Sequence, residues 1–194
     1  MNMKKTFPRL AVLISGQGTN LQSMIDHIAK GFLQAKIAVV ISNQPDAYGL
    51  QRAHRSQIPT VVISHEMYNQ RKLFDRAILH ELKRFDAQWV ILSGFMRILG
   101  AEFLSQYNHR VLNIHPSLLP KYPGLQAIEK AFHNAESETG VTVHYVNEGV
   151  DTGPIIMQEK VTIDPSDTLE TLEKKVHAVE HQLYPKAIQK VLWG

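Results

Sequence analysis

The chain has 194 residues, 44% apolar and 20% charged, the balance of one ordinary globular domain with a sizeable core. It holds no cysteine, which excludes disulfides, zinc–thiolate sites and thiol catalysis. A formal charge of +3 without any Lys/Arg block or basic–aromatic interleaving argues against nucleic acid as a partner.

No apolar run approaches membrane-spanning length. The opening MNMKKTFPRL lacks the apolar core of a secretory signal, so a cytoplasmic protein is expected. Four short segments, apolar on both faces, then read as parallel strands covered by helices: Leu10 to Ile14, Ile37 to Ile41, Thr60 to Ile63 and Trp89 to Leu92. Amphipathic stretches alternate with them. Asn20 to Lys30 carries the stripe Leu21, Met24, Ile25 and Ile28, and Tyr48 to Ser56 is a second helix. Asn69 to Arg84 is a third, with Leu73, Ala77, Ile78 and Leu82 expected to face inward. Val111 to Ile114 supplies a fifth strand.

Val141 to Val146 and Ile155 to Ile163 follow as strands joined by NEGVDTGP, with no helix between them, which predicts an antiparallel pair. A last helix starts at Pro165-Ser166-Asp167-Thr168 and buries Leu169, Leu172, Val176, Val179 and Leu183. The fold class is therefore α/β: a single-domain, Rossmann-like mixed sheet. Its N-terminal half is parallel with helices on both faces, and its C-terminal part is antiparallel. No repeat, low-complexity segment or linker divides residues 1–194.

Three places carry chemistry. In AVLISGQGTNLQSMI a glycine turn joins a strand to a helix, and the N–H groups of Gly18, Thr19 and Asn20 make a candidate phosphate cradle. A plain tight turn capped by Thr19 or Asn20 is an equal reading from the glycines alone. A dinucleotide site fits worse. Leu21 stands where a third glycine belongs, Asn43 where a ribose-binding acid belongs, and there is no P-loop lysine, so a single phosphate monoester suits the loop better.

In RVLNIHPSLLPKYPG, alternation puts Asn113 and His115 on one face at the carboxyl end of a central strand. There an amide can hold a developing oxyanion and an imidazole can move a proton. A lone histidine is by default a capped turn residue, but Pro116, Pro120 and Pro123 suit a rigid site wall. GVDTGP places Asp151 on a Gly-flanked loop, where it could close a turn or orient His115. No metal-ligand spacing such as H-E-x-x-H is present, so no metal is expected.

Together LISGQGTNLQ, SGFMRIL, NIHPSLLPKYPG and GVDTGPII closely resemble the phosphoribosylglycinamide formyltransferase family, folate-dependent enzymes of purine synthesis, over nearly the whole chain. The resemblance implies formyl transfer from 10-formyltetrahydrofolate to the amino group of 5'-phosphoribosylglycinamide. It implies Asn113, His115 and Asp151 as the catalytic trio, and Gly18, Thr19, Asn20 and Glu180 as ribonucleotide contacts. Arg71, Met96, Arg97, Ile98, Leu99 and Asn113 would hold the folate, the 96–99 run by its backbone. Residues 1–100 would form a phosphate-binding half and 101–194 a catalytic and folate-binding half of a monomer or homodimer. Thr19 replaces the commoner Ser, Thr152 stands where some members have Gly, and a longer C-terminal tail is absent; none of these touches the trio.

The implied chemistry is direct amine attack through a tetrahedral intermediate, stabilised by Asn113 and His115 with Asp151 assisting. Formyltetrahydrofolate deformylase shares the strand end but carries an N-terminal regulatory domain, for which the start at Leu10 leaves no room. Methionyl-tRNA formyltransferase needs a C-terminal RNA-binding domain and a basic surface, neither of which the sequence offers. A non-catalytic nucleotide- or folate-binding module would leave the trio idle.

Overall fold

Strands form where apolar, β-branched residues run without interruption. In the computed structural model, which describes residues 6–194, these are β1 (Arg9–Ile14), β2 (Lys36–Ser42), β3 (Thr60–Val62), β4 (Trp89–Leu92) and β5 (Val111–His115). Residues 1–5, part of the opening in which no secretory signal is read, lie outside the described residues. β6 (Glu138–Tyr145) and β7 (Ile155–Thr162) complete one seven-stranded sheet of order β3-β2-β1-β4-β5-β6-β7. Pairing is parallel from β3 through β5 and antiparallel from β5 through β7, so the mixed sheet expected from the sequence is present.

The helices are α1 (Thr19–Ala29), α2 (Tyr48–Arg55), α3 (Arg71–Arg84), α4 (Ala101–Gln106), α5 (Ala127–His133) and α6 (Leu169–Trp193). α4 and α5 were not expected. At six and seven residues they are too short to display a 3.6-residue period. Among the described residues, no helix is long and apolar enough to cross a membrane.

Strand alternation sorts the core into two layers. Leu10, Val12, Ile14, Leu112, Ile114, Val141 and Val143 pack under α1, α2, α5 and α6. Ala11, Leu13, Val39, Ile41, Val90, Leu92 and Val111 pack under α3 and α4. The stripe of α3 differs from expectation. Phe74, Asp75, Ile78, Leu79 and Leu82 are buried, while Leu73 is 43% exposed. The bulkier Phe74 takes the inward position, and Leu73, about 100° away around the helix, is turned outward.

α6 begins as its sequence indicates, with Thr168 as N-cap in a reciprocal box with Thr171. Its middle contains Pro185, which has no N–H to give the His181 carbonyl one turn back. The Ser23 hydroxyl of α1 donates to that carbonyl instead. Three residues from His181, the fully buried Tyr184 donates from its hydroxyl to the carbonyls of Leu92 (2.8 Å) and Leu112 (3.1 Å). Helix α6 is thereby pinned to α1 and to the ends of β4 and β5, which sets the position of Glu180.

Ser23→Ala should therefore leave a part-buried carbonyl without a donor and lower stability by about 1 kcal/mol in urea unfolding. In a Pro185→Ala background the helix regains its own N–H, and the same substitution should then have a clearly smaller effect. Equal effects in both backgrounds would contradict the compensation.

Candidate active site

β5 and β6 carry polar residues on the sheet face that α3 and α4 leave uncovered. In β5 these are Asn113 and His115; in β6 they are Thr142 and His144. The antiparallel register sets Asn113 opposite His144 and His115 opposite Thr142. The β6–β7 connection returns over this face and brings Asp151 to it. That return is tight: a Cβ on Gly153 would lie 1.7 Å from the Tyr145 carbonyl oxygen, so only glycine fits.

Asn113, His115 and Asp151 thus meet. His115 is 5% exposed, with Nδ1 3.2 Å from Asp151 Oδ2. Its Nε2–H donates to the Tyr122 carbonyl at 2.8 Å. The Asn113 amide donates to Asp151 Oδ1 at 3.3 Å. The Gly124 N–H donates to Asp151 Oδ2 at 2.8 Å. Burial alone would push the Asp151 carboxyl up. The hydrogen bond from His144, the Gly124 N–H and the nearby His115 and His144 charges outweigh it and bring the group down to about 2. Asp151 itself has φ 53, a left-handed backbone that Asp tolerates better than most residues.

His144 was missed in the sequence. It is 2% exposed, and its Nδ1 must carry a proton because the partner at 2.8 Å is the Tyr145 carbonyl. Nε2 then faces both the Asn113 amide (3.3 Å) and Asp151 Oδ1 (3.5 Å). A neutral ring accepts from Asn113; a protonated ring donates to Asp151. The signal was available in VTVHY, whose polar Thr142 and His144 alternate as Asn113 and His115 do.

The loop after β5 is held by more than its prolines. The Thr142 hydroxyl, fully buried, donates to the Ser117 carbonyl (2.6 Å) and accepts from the Leu119 N–H (3.1 Å) and Gln158 Nε2 (2.7 Å). Gln158 Nε2 also donates to the Leu119 carbonyl at 2.9 Å.

The first loop lies at the carboxyl end of β1, which β4 separates from β5 in the sheet. Gly18 is the N-cap of α1 with φ 67, which corrects the alternative of Thr19 or Asn20 as cap. Thr19 and Asn20 open the helix, and first-turn N–H groups have no intrahelical acceptor. A Cβ on Gly18 would come within 2.7 Å of Gly49 Cα, so glycine here lets α2 pack against the loop. Arg52 of α2 donates from Nε to the Gln17 carbonyl at 2.9 Å, a brace the sequence did not reveal. Glu180 is not on a solvated face. It is 5% exposed and accepts from Asn20 Nδ2 at 3.1 Å and from His177 Nδ1 at 3.0 Å. That hydrogen bond to Glu180 holds the His177 imidazole above its usual range. The buried Asn20 Oδ1 has no partner.

The 96–99 run is tied to the first loop. The Ser15 N–H donates to the Gly94 carbonyl (3.1 Å), and the Met96 N–H donates to the Ser15 hydroxyl (2.8 Å). Met96, Arg97 and Ile98 are exposed, whereas the Leu99 side chain is 4% exposed and lies in the core beneath α3 and α4. Arg71 does not reach the trio. It lines a cavity of about 270 Å³ with Asp75, Gly100 and Phe103, adjoining the end of this run. Asp75 accepts the Gly100 N–H at 2.8 Å, and burial pushes its carboxyl up. Among the described residues, no group of three or more His, Asp or Glu is placed to hold a metal ion.

Thr142→Val should cost about 1–3 kcal/mol of unfolding free energy, because Ser117 and Leu119 are buried and lose their partner. Gln158→Ala should cost less, since Gln158 lies at the surface and water replaces its amide. The reverse ranking in urea unfolding would contradict this hydrogen-bond account.

Known proteins match this architecture. A family model for formyl transferase covers residues 8–188. The chain is 46% identical over 181 residues to phosphoribosylglycinamide formyltransferase of Haemophilus influenzae, covering 93% of this chain and 85% of that protein. It is 48% identical over 189 residues to the trifunctional purine biosynthetic protein adenosine-3 of Drosophila pseudoobscura pseudoobscura. That match takes in 96% of this chain but spans only 14% of the length of the trifunctional protein. The crystal structure of glycinamide ribonucleotide transformylase 1 from Symbiobacterium toebii superposes with a TM-score of 0.94 at 41% identity, covering 97% of this chain and 89% of that one. The chain belongs to the formyl transferase family.

Proposed function

We propose that this chain transfers a formyl group from 10-formyltetrahydrofolate to the amino group of 5'-phosphoribosylglycinamide, a step of purine (IMP) biosynthesis. The observation that carries the reading is the meeting of Asn113, His115 and Asp151 on one sheet face, in a chain of the formyl transferase family.

The ribonucleotide phosphate would sit on the N–H groups of Gly18, Thr19 and Asn20, where the positive end of α1 favours an anion. Glu180 beside Asn20 offers a carboxylate to ribose hydroxyls. The folate fits the run Met96, Arg97, Ile98 and Leu99 with Arg71 and Asn113. Met96 and Ile98 are 61% and 56% exposed, apolar surface suited to a flat ring, and the buried Ser93 hydroxyl lacks a partner. Bound formyl-folate supplies the electrophilic formyl carbon. The two halves would share both sites: Arg71 and 96–99 come from residues 1–100, and Glu180 reaches back to Asn20 from the second half.

Around that carbon the chain's groups have distinct tasks. Asn113 offers an N–H to an oxyanion, and its present bonds of 3.3 Å are long enough to be redirected. With Nε2–H given to Tyr122, His115 has Nδ1 left for proton exchange, facing Asp151. A carboxyl held near 2 is a weak base. Asp151 therefore acts through its charge, orienting His115 and stabilising the imidazolium, while His115 conveys the proton lost by the attacking amine to the folate nitrogen, whose bond to the formyl carbon breaks as the new carbon–nitrogen bond forms.

The test mixes protein, ribonucleotide and formyl-folate, with a control lacking the ribonucleotide. Folate release that requires the amine supports transfer; equal release without it points to a hydrolase. Asn113→Ala and His115→Ala should each lower turnover by roughly a hundred- to a thousandfold while both substrates still bind. Near-normal turnover in either would overturn that residue's role.

A further inference from the structure

His115 donates from Nε2 to a residue whose side chain is anchored on a different connection, the one between α5 and β6. Tyr122 has φ 54, a left-handed conformation that a bulky side chain rarely adopts. Its hydroxyl donates to Glu136 Oε1 at 2.8 Å and accepts from Asn134 Nδ2 at 3.0 Å. Lys121 Nζ lies 3.2 and 3.0 Å from the two Glu136 oxygens. The Tyr122 hydroxyl, then Lys121, holds the Glu136 carboxyl below its usual range. Two residues on, Gly124 gives its N–H to Asp151, so the segment 122–124 touches both members of the His–Asp pair. A strained backbone persists only where its surroundings over-determine it, and the side chain of Tyr122 supplies that constraint here.

We propose that Tyr122, clamped through its hydroxyl by Glu136, is a positioning residue: it aims its carbonyl at His115 Nε2 and so fixes which ring nitrogen faces the reacting atoms. The kinetic part of this inference rests on the formyl-transfer reading; the geometric part does not. If the hydroxyl is released, the left-handed turn can relax, the carbonyl swings away, and Nε2 loses its acceptor. His115 then rotates or changes tautomer at the point where proton exchange is needed. A staple that merely stabilises the loop would instead leave the ring as it is.

Tyr122→Phe removes only the hydroxyl, and Glu136→Ala removes its acceptor. Each should lower kcat about tenfold, with KM for both substrates within about twofold of the parent, because the loss is one of orientation. The double variant should be no worse than the worse single, since both break one link. Glu136→Gln, which keeps an acceptor oxygen, should retain most of the activity. Independently of turnover, the His115 Nε2–H signal in proton–nitrogen NMR of the substrate-free protein should shift or broaden in Tyr122→Phe and stay in place in Glu136→Gln. An unchanged His115 signal in Tyr122→Phe overturns the inference. Absence of formyl transfer in the parent protein would sink the proposed function instead, and the ring signal would then decide the positioning role alone.

Discussion

A carboxylate taken out of water has to be given donors, and around Asp151 that requirement organises everything else. Its Oδ2 faces His115 Nδ1 and receives the Gly124 N–H; its Oδ1 receives the Asn113 amide and faces His144 Nε2. Those groups come from β5, from the loop behind it and from β6, while Asp151 comes from the β6–β7 connection. No one of them is held in place by local structure alone. The charge is the common point, and each donor is oriented by its need to reach it.

The rest of the fold delivers these groups within reach. Reversing from parallel to antiparallel pairing at β5 and β6 puts two polar-faced strand ends side by side, which an all-parallel sheet with intervening helices would not do. The loop after β5 is fastened from below by Thr142 and Gln158, so it presents the Tyr122 carbonyl and the Gly124 N–H together. On the other side, Ser15 stitches the glycine loop to the 94–96 turn. The two substrate regions proposed above are therefore neighbours by covalent and hydrogen-bonded connection, and α6 closes the side of the glycine loop by carrying Glu180 to Asn20.

Much of this was legible in the residues. Trp89 to Leu92 is a strand with the bounds its apolar run gives, and the helix-free NEGVDTGP did mark an antiparallel pair. Alternation correctly put Asn113 and His115 on one face. What was not legible depended on partners distant in the chain. His144 became visible only once register set it opposite Asn113. Resemblance alone singled out Glu180 among the acids of a long helix; its burial and its bond from Asn20 depend on α1. Leu73 carried the right period but lost its place to Phe74, since a periodic pattern fixes a face only to within a neighbouring position. Pro185 leaves the His181 carbonyl without a helix donor, and the Ser23 hydroxyl that replaces it comes from α1 across the interface.

The most direct test of the central claim is the titration of the Asp151 carboxyl carbon by carbon NMR in the substrate-free protein, with amide signals followed to confirm that the fold persists. The Asn113 and Gly124 donors, with the two imidazoles that face the carboxylate, predict no protonation until the pH approaches about 2. A midpoint near the ordinary aspartate value of 3.8, reached while the amide spectrum is still native, would mean that the donors do not converge on this carboxylate, and the account of the site would fail.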